Sequence, residues 1–216
     1  MAREDQPRLC IVAEAAIGED VLRRVSVVLE SADIAVLFIA PAGATPPDAV
    51  SAKPLVDAAQ AKGVAALIEG DAQLARTLRA DGVHLPWTKE VAKYYSDARQ
   101  IMGNRFIVGG DVGRSRHDAM SLCETGADYV GFGIPGHVED RETARARQMA
   151  LIEWWSDIFE VPCVAFDVET PQEAVALAHV GADFVVLAIP AGLAIEELAR
   201  WAQDLAGALT AREAAA

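Results

Sequence analysis

Four apolar runs of this chain end in carboxylates. Glu14 closes LCIVAE (9–14), Glu69 lies at the end of GVAALIEG (63–70) with Asp71 just beyond, Asp111 closes RFIVGGD (105–111), and Asp167 falls in PCVAFDV (162–168). Acids gathered at one opening repel each other, so such a ring calls for a metal ion, a cationic ligand or raised pKa values on some members. Two kinds of basic residue accompany them. His84, in GVHLP, alternates with Val83 and Leu85 and faces the other way; it either lines an opening as ligand or base or is a hydrogen-bonded core histidine. Arg114 and Arg116, in GDVGRSRHD, precede a helical segment and could grip an anion together with its N-terminus, surface solvation being the alternative. His117 and His179 lie on helical stretches with no partner pattern.

The elements that must position these residues show themselves by repetition. SADIAVLFIAPAG (31–43), RADGVHLP (79–86), GADYVGFGIPG (126–136) and GADFVVLAIPAG (181–192) are four versions of one sentence, recurring at intervals of about 50 residues. That interval fits a doubled strand–helix unit. The four carboxylate-ended runs fall between them, which makes eight strands. Segments such as DVLRRVSVVLES, DAQLARTLRA and AIEELARWAQDLAGAL separate the strands and carry apolar residues at helical spacing. The pattern predicts an α/β protein, a single-domain (β/α)8 TIM barrel over residues 8–210, with short tails at 1–7 and 211–216. In each repeat a small residue ends a helix, Gly126 and Gly181 in a left-handed backbone, and Asp turns the chain; Pro41, Pro86, Pro135 and Pro190 stop the strands. Active sites of this architecture open at the C-terminal mouth, so the acids of the odd strands are expected to converge there around a small-molecule ligand.

Composition narrows the partners. With 19 Lys and Arg against 32 Asp and Glu the formal net charge is −13, which excludes a phosphate-backbone partner held by clustered cations. No apolar run approaches the roughly 20 residues of a membrane span, so a soluble, cytoplasmic protein is expected. Cys10 and Cys163 sit inside strand runs as small hydrophobes. LIEWWSDIF (151–159) is dense in aromatics and serves core packing, the barrel bottom or a homodimer contact.

With the strands placed, LIEGDAQLARTLRADGVHL (67–85) resembles the strand 3 to strand 4 stretch of thiamine phosphate synthases and their tautomerase relatives, and the likeness extends over roughly residues 8–205. The resemblance implies a TIM barrel that joins a pyrimidine methyl diphosphate to a thiazole phosphate with Mg2+. Against that pattern, Val36, Phe38 and Ala40 stand where polar diphosphate ligands are expected. Gly70 and Lys89 stand where Mg2+ aspartates are expected, and Ala188 where a phosphate-binding serine is expected. Arg141 falls at or near a diphosphate-contacting lysine, Asp167 replaces a phosphate-loop glycine, and the turn at Ala191 and Gly192 keeps backbone donors. His137 lies three residues after the position of a tautomerase proton shuttle.

Three readings follow. The first is a synthase with displaced ligands, in which Glu14, Asp71 and Asp111 hold Mg2+, Arg114 and Arg141 hold diphosphate, and His84 and His137 serve proton transfer. The second is a paralogue without synthase chemistry that binds another small molecule as a sensor or accessory protein. The third is a metal-dependent lyase or isomerase using the carboxylate ring.

Overall fold

The computed structural model describes residues 6–210; the expected tail at 211–216 and all but the last two residues of the one at 1–7 lie outside them. Eight strands, β1 (Arg8–Glu14), β2 (Ile34–Ala40), β3 (Ala65–Glu69), β4 (Gly82–Leu85), β5 (Ile107–Asp111), β6 (Val130–Phe132), β7 (Cys163–Val168) and β8 (Phe184–Ala188), pair in parallel and in sequence order into a closed barrel. Eight helices surround it: α1 (Glu19–Ser31), α2 (Ala49–Ala61), α3 (Ala72–Leu78), α4 (Val91–Met102), α5 (Arg116–Glu124), α6 (Arg141–Ile158), α7 (Pro171–His179) and α8 (Ile195–Thr210). This is the single-domain (β/α)8 TIM barrel expected from the repeats. None of these helices is long and apolar enough to cross a membrane.

Alternation along the strands sorts side chains into two cores. The larger lies between strands and helices; the smaller fills the barrel with Cys10, Phe38, Leu67, Tyr129, Val164 and Val186, with Phe166 and Phe184 packed against them. Room for these rings comes from glycine. A Cβ on Gly109 would lie 2.4 Å from the Tyr129 ring, and one on Gly131 would lie 2.7 Å from the Phe166 ring. Small and large residues interdigitate, as close packing requires. Burial pushes the Cys10 thiol up to about 12, in keeping with a purely apolar role. The aromatic stretch of α6 is packing too: Trp155 is fully buried, stacks on Phe159 at 3.9 Å and donates its indole N–H to Val161 O.

The repeated aspartates do more than turn the chain. Asp81, Asp128 and Asp183 each donate a backbone N–H to the carbonyl of one residue on the preceding odd strand, Ala66, Val108 and Cys163 respectively. Each carboxylate also accepts the N–H of that same residue, at 2.9, 2.8 and 2.8 Å. The clasp satisfies a strand-end donor that no ladder bond reaches. Asp33 departs from this pattern and meets Arg8 at the surface instead, at 3.5 Å. Asp128→Ala leaves the Val108 N–H without its acceptor and also strips Arg99 of an ion pair. We expect it to cost about 2 kcal/mol, read as a lower urea midpoint at unchanged slope; a loss within 0.5 kcal/mol, on the order of an ordinary surface change, would refute the clasp.

Candidate functional site

The strand ends build the C-terminal mouth. β1 contributes Val12 and Glu14, β2 Phe38 and Ala40, β3 Glu69, β7 Phe166 and Asp167, and β8 Val186 and Ala188, all lining two cavities of about 700 and 310 Å3. The two share Val12, Glu69 and Ala188, so they are neighbouring compartments of one opening.

Asp111, at the end of β5, lines neither cavity and is 8% exposed. Its Oδ1 accepts N–H groups from Gly113 at 2.7 Å and Gly133 at 2.9 Å. A Cβ on Gly133 would meet Asp111 Oδ2 at 2.2 Å and Asp167 Oδ2 at 2.7 Å, so these oxygens close on one point that only glycine leaves free. Burial, joined by the charges of Asp167 and Glu69, pushes the Asp111 carboxyl up to about 7 even against its two backbone hydrogen bonds. Glu69 is raised by burial and by Asp167. Asp167 is raised as well, chiefly by burial of its carboxyl, although the residue as a whole is exposed at the mouth.

Asp167 reaches this position through an irregular strand. Between Ala165 and Val168 the β7–β8 register slips, giving β7 one residue more than β8 over that span, and Asp167 takes a left-handed backbone with φ 56°. A non-glycine residue held there is strained, and such strain gathers at functional sites. The bulge lets Phe166 and Asp167 both address the interior. Two residues fasten it: Ile134 N–H donates to Asp167 Oδ2 at 2.7 Å, and buried Gln148, on α6, donates to Phe132 O at 2.6 Å and Phe166 O at 2.7 Å.

His84 is buried inside the barrel, 4.5 Å from the Phe166 ring in a stack and 5.3 Å from Phe38 edge-on. Its Nδ1 shares a 2.7 Å hydrogen bond with the Tyr129 hydroxyl. Burial pushes the imidazole down to about 3, which keeps it neutral. It is the hydrogen-bonded core histidine of the two sequence readings, and it does not cycle a proton near neutral pH. His137 is exposed on the loop after β6, its ring 5.4 Å from Trp87.

The remaining candidates separate. Glu14 is exposed and lines the larger cavity with Ala191, while Asp71 is not brought to the mouth at all. Its carboxylate caps α3, accepting the Leu74 N–H at 2.8 Å, because the turn at Gly70 places it two residues past the end of β3. Among the described residues no three His, Cys, Asp or Glu side chains gather as a metal site; the set Glu14, Asp71 and Asp111 is not assembled. Arg141 lines the smaller cavity, donating to Ile134 O and Glu169 at 3.2 Å each. Arg114 is half-buried ahead of α5 and gives its carbonyl to Arg147. Ala191 and Gly192 form the exposed tip of the turn after β8, which Arg24 of α1 anchors through Pro190 O and Leu193 O. Arg24, Gln148 and Gly133 are absent from the sequence reading; their partners lie on remote elements, and no local pattern betrays them.

Residues 9–189 match the family described as thiamine monophosphate synthase. The chain is 38% identical over 138 residues to a thiamine-phosphate synthase of Erythrobacter litoralis, covering 63% of each chain. It is 40% identical over 135 residues to one of Hyphomonas neptunium, covering 62% of this chain and 59% of the relative. The matched stretch thus spans less than two thirds of these curated relatives. In fold it is similar to the thiamine phosphate pyrophosphorylase of Pyrococcus furiosus, with a TM-score of 0.73, 17% identity and 99% of both chains covered.

Proposed function

This chain belongs to the thiamine monophosphate synthase family, and on that premise we propose that it is a thiamine phosphate synthase-like protein of thiamine metabolism, cytoplasmic, taking small-molecule substrates at the barrel mouth. The reaction class is a displacement: a thiazole nitrogen forms a bond to the pyrimidine methylene carbon while the carbon–oxygen bond to pyrophosphate breaks and the electron pair leaves with it. The observation that carries this reading is Arg141. It stands at or near the family's diphosphate-contacting lysine and lines the smaller cavity, where its guanidinium can offset charge on the leaving group. The apolar floor of Val12, Phe38, Phe166 and Val186 excludes water and accepts a flat ring.

The family's Mg2+ does not fit the residues present. Gly70 and Lys89 hold the expected ligand positions, Asp71 is committed to capping α3, and the described residues gather no three-ligand set. A second reading, a paralogue that binds another small molecule without synthase chemistry, draws support from the same mouth: Glu69 and Asp167 line the smaller cavity, and like charge there repels an anion.

Purified protein incubated with both precursors and Mg2+ separates the two. Under the synthase-like reading thiamine phosphate forms, and Arg141→Ala lowers its rate by about 10²-fold or more, the scale on which single charge-stabilising donors act. No product, with no heat of diphosphate binding in calorimetry, overturns that reading and leaves the second.

A further inference from the structure

Arg141 and Gln148 stand seven residues apart on α6, about two turns, so both face the seam between β6 and β7, one about 10 Å above the other. That seam is short. β6 has three residues, and Phe132 with Ala165 is the last paired step between the two strands. Toward β8, β7 pairs as far as Ala165 and again only at Val168, so Phe166 and Asp167 have no register partner. Past that point side chains cross the seam where a ladder would have run. Asp167 Oδ2 takes the Ile134 N–H, and the amide of Gln148, 1% exposed, points one N–H at Phe132 O and the other at Phe166 O.

The Arg141 guanidinium spans the same seam nearer the mouth. Its Nη1 donates to Ile134 O, two residues after β6, and its Nη2 to Glu169, one residue after β7, at 3.2 Å each. Glu169 is held in turn by Arg145 at 2.8 Å. A guanidinium is a planar fork of fixed width, so bonds to both sides of a gap tie its place to the width of that gap. Gln148 sets the width: one amide nitrogen reaches two carbonyls only while the strand ends stay close.

We infer that Gln148 is a positioning residue for Arg141. By joining Phe132 O to Phe166 O it fixes the gap that Ile134 and Glu169 span, and so the place from which Arg141 addresses the leaving group. What Arg141 does there rests on the synthase-like reading; how it is held does not.

Two readouts test the inference, one of them without turnover. In NMR of the full chain at pH 6, the Nε–Hε cross-peak of Arg141, assigned by its absence from Arg141→Ala, shifts and broadens in Gln148→Met, a side chain of similar length with no donor. The cross-peak of Arg99, whose Nε–H is bonded to the Tyr95 hydroxyl, stays in place. Gln148→Glu, a carboxyl that keeps its proton beside two carbonyls and so donates once, gives an intermediate position; it carries the test should Gln148→Met fail to fold. In turnover with both precursors, Gln148→Met lowers kcat on the order of tenfold to hundredfold, the scale of a misplaced group at a reacting centre. KM for the thiazole phosphate, which Arg141 does not hold, is unchanged. In an Arg141→Ala background the same substitution changes kcat by less than about twofold, because the two residues act as one unit. An unmoved Arg141 cross-peak overturns the inference, as does an equal fall in kcat with and without Arg141. A wild type that makes no thiamine phosphate overturns the synthase-like reading, and the cross-peak alone then decides the inference.

Discussion

Asp111→Asn unfolds at a higher temperature than the wild type at pH 8.5 and by a clearly smaller margin at pH 5. The sign follows from linkage. Unfolded, the Asp111 carboxyl ionises near its ordinary value of 3.8; folded, it keeps its proton until about pH 7. Between those values the folded state holds the extra proton, so the contribution is fully present below about 3.8, falls as pH rises from there and is lost by about pH 7. A shift of this size corresponds to a few kcal/mol, on the order of 1.4 per unit. Glu69 and Asp167, raised in the same direction, steepen the decline. Arg141 and Arg145 oppose it only through Asp167. The exposed caps Asp48 and Asp140 are lowered and act in the opposite sense at more acid pH.

Asparagine reproduces the protonated acid. Its carbonyl keeps the Gly113 and Gly133 N–H bonds, and its amide can donate to Asp167 Oδ2. At pH 8.5 the variant gains on the order of 2 kcal/mol, which for a chain of this length raises Tm by about 5 °C. Thermal unfolding at the two pH values checks it: equal destabilisation at both would mean that the carboxylate, not the acid, is the form the fold accommodates.

The barrel was legible because its signals are periodic. GAD and a proline mark where even strands begin and stop, Glu69 and Asp111 are the last residues of odd strands, and alternation sets His84 opposite Val83 and Leu85. Where the reading failed, alternation itself was broken or a partner was remote. Asp71 is two residues past the strand and turns to its helix. Asp167 reaches the mouth only because a bulge in β7 adds a residue and inverts its backbone. The aspartate clasps join residues 15 to 20 positions apart, a distance at which hydrogen bonds leave no periodic trace. The repeat could be seen in the sequence, its purpose only in the barrel.

Gly82→Ala is expected to be among the most damaging single-methyl additions to the chain, and Gly207→Ala one of the mildest. Gly82 opens β4 beside Ile107 of β5. A Cβ there would lie 2.2 Å from Ile107 O, 2.8 Å from its Cβ and 2.9 Å from its carbonyl carbon. Backbone atoms cannot swing aside, so the two strands must separate, and overpacking of this kind costs about 3 kcal/mol or more. Gly207, inside α8, has nothing within 4 Å of its Cβ position. Alanine there gains roughly 0.5–1 kcal/mol from helix propensity and a less flexible unfolded chain. Urea titrations of the two variants should therefore move in opposite directions, and a tolerant Gly82 would show that the β4–β5 seam yields. The comparison bears on how ADGVHL is to be read. In that element Asp81 clasps β3, Gly82 admits β5, and His84 packs as a neutral ring inside the barrel. The stretch most like the family's thus maintains the barrel's shape.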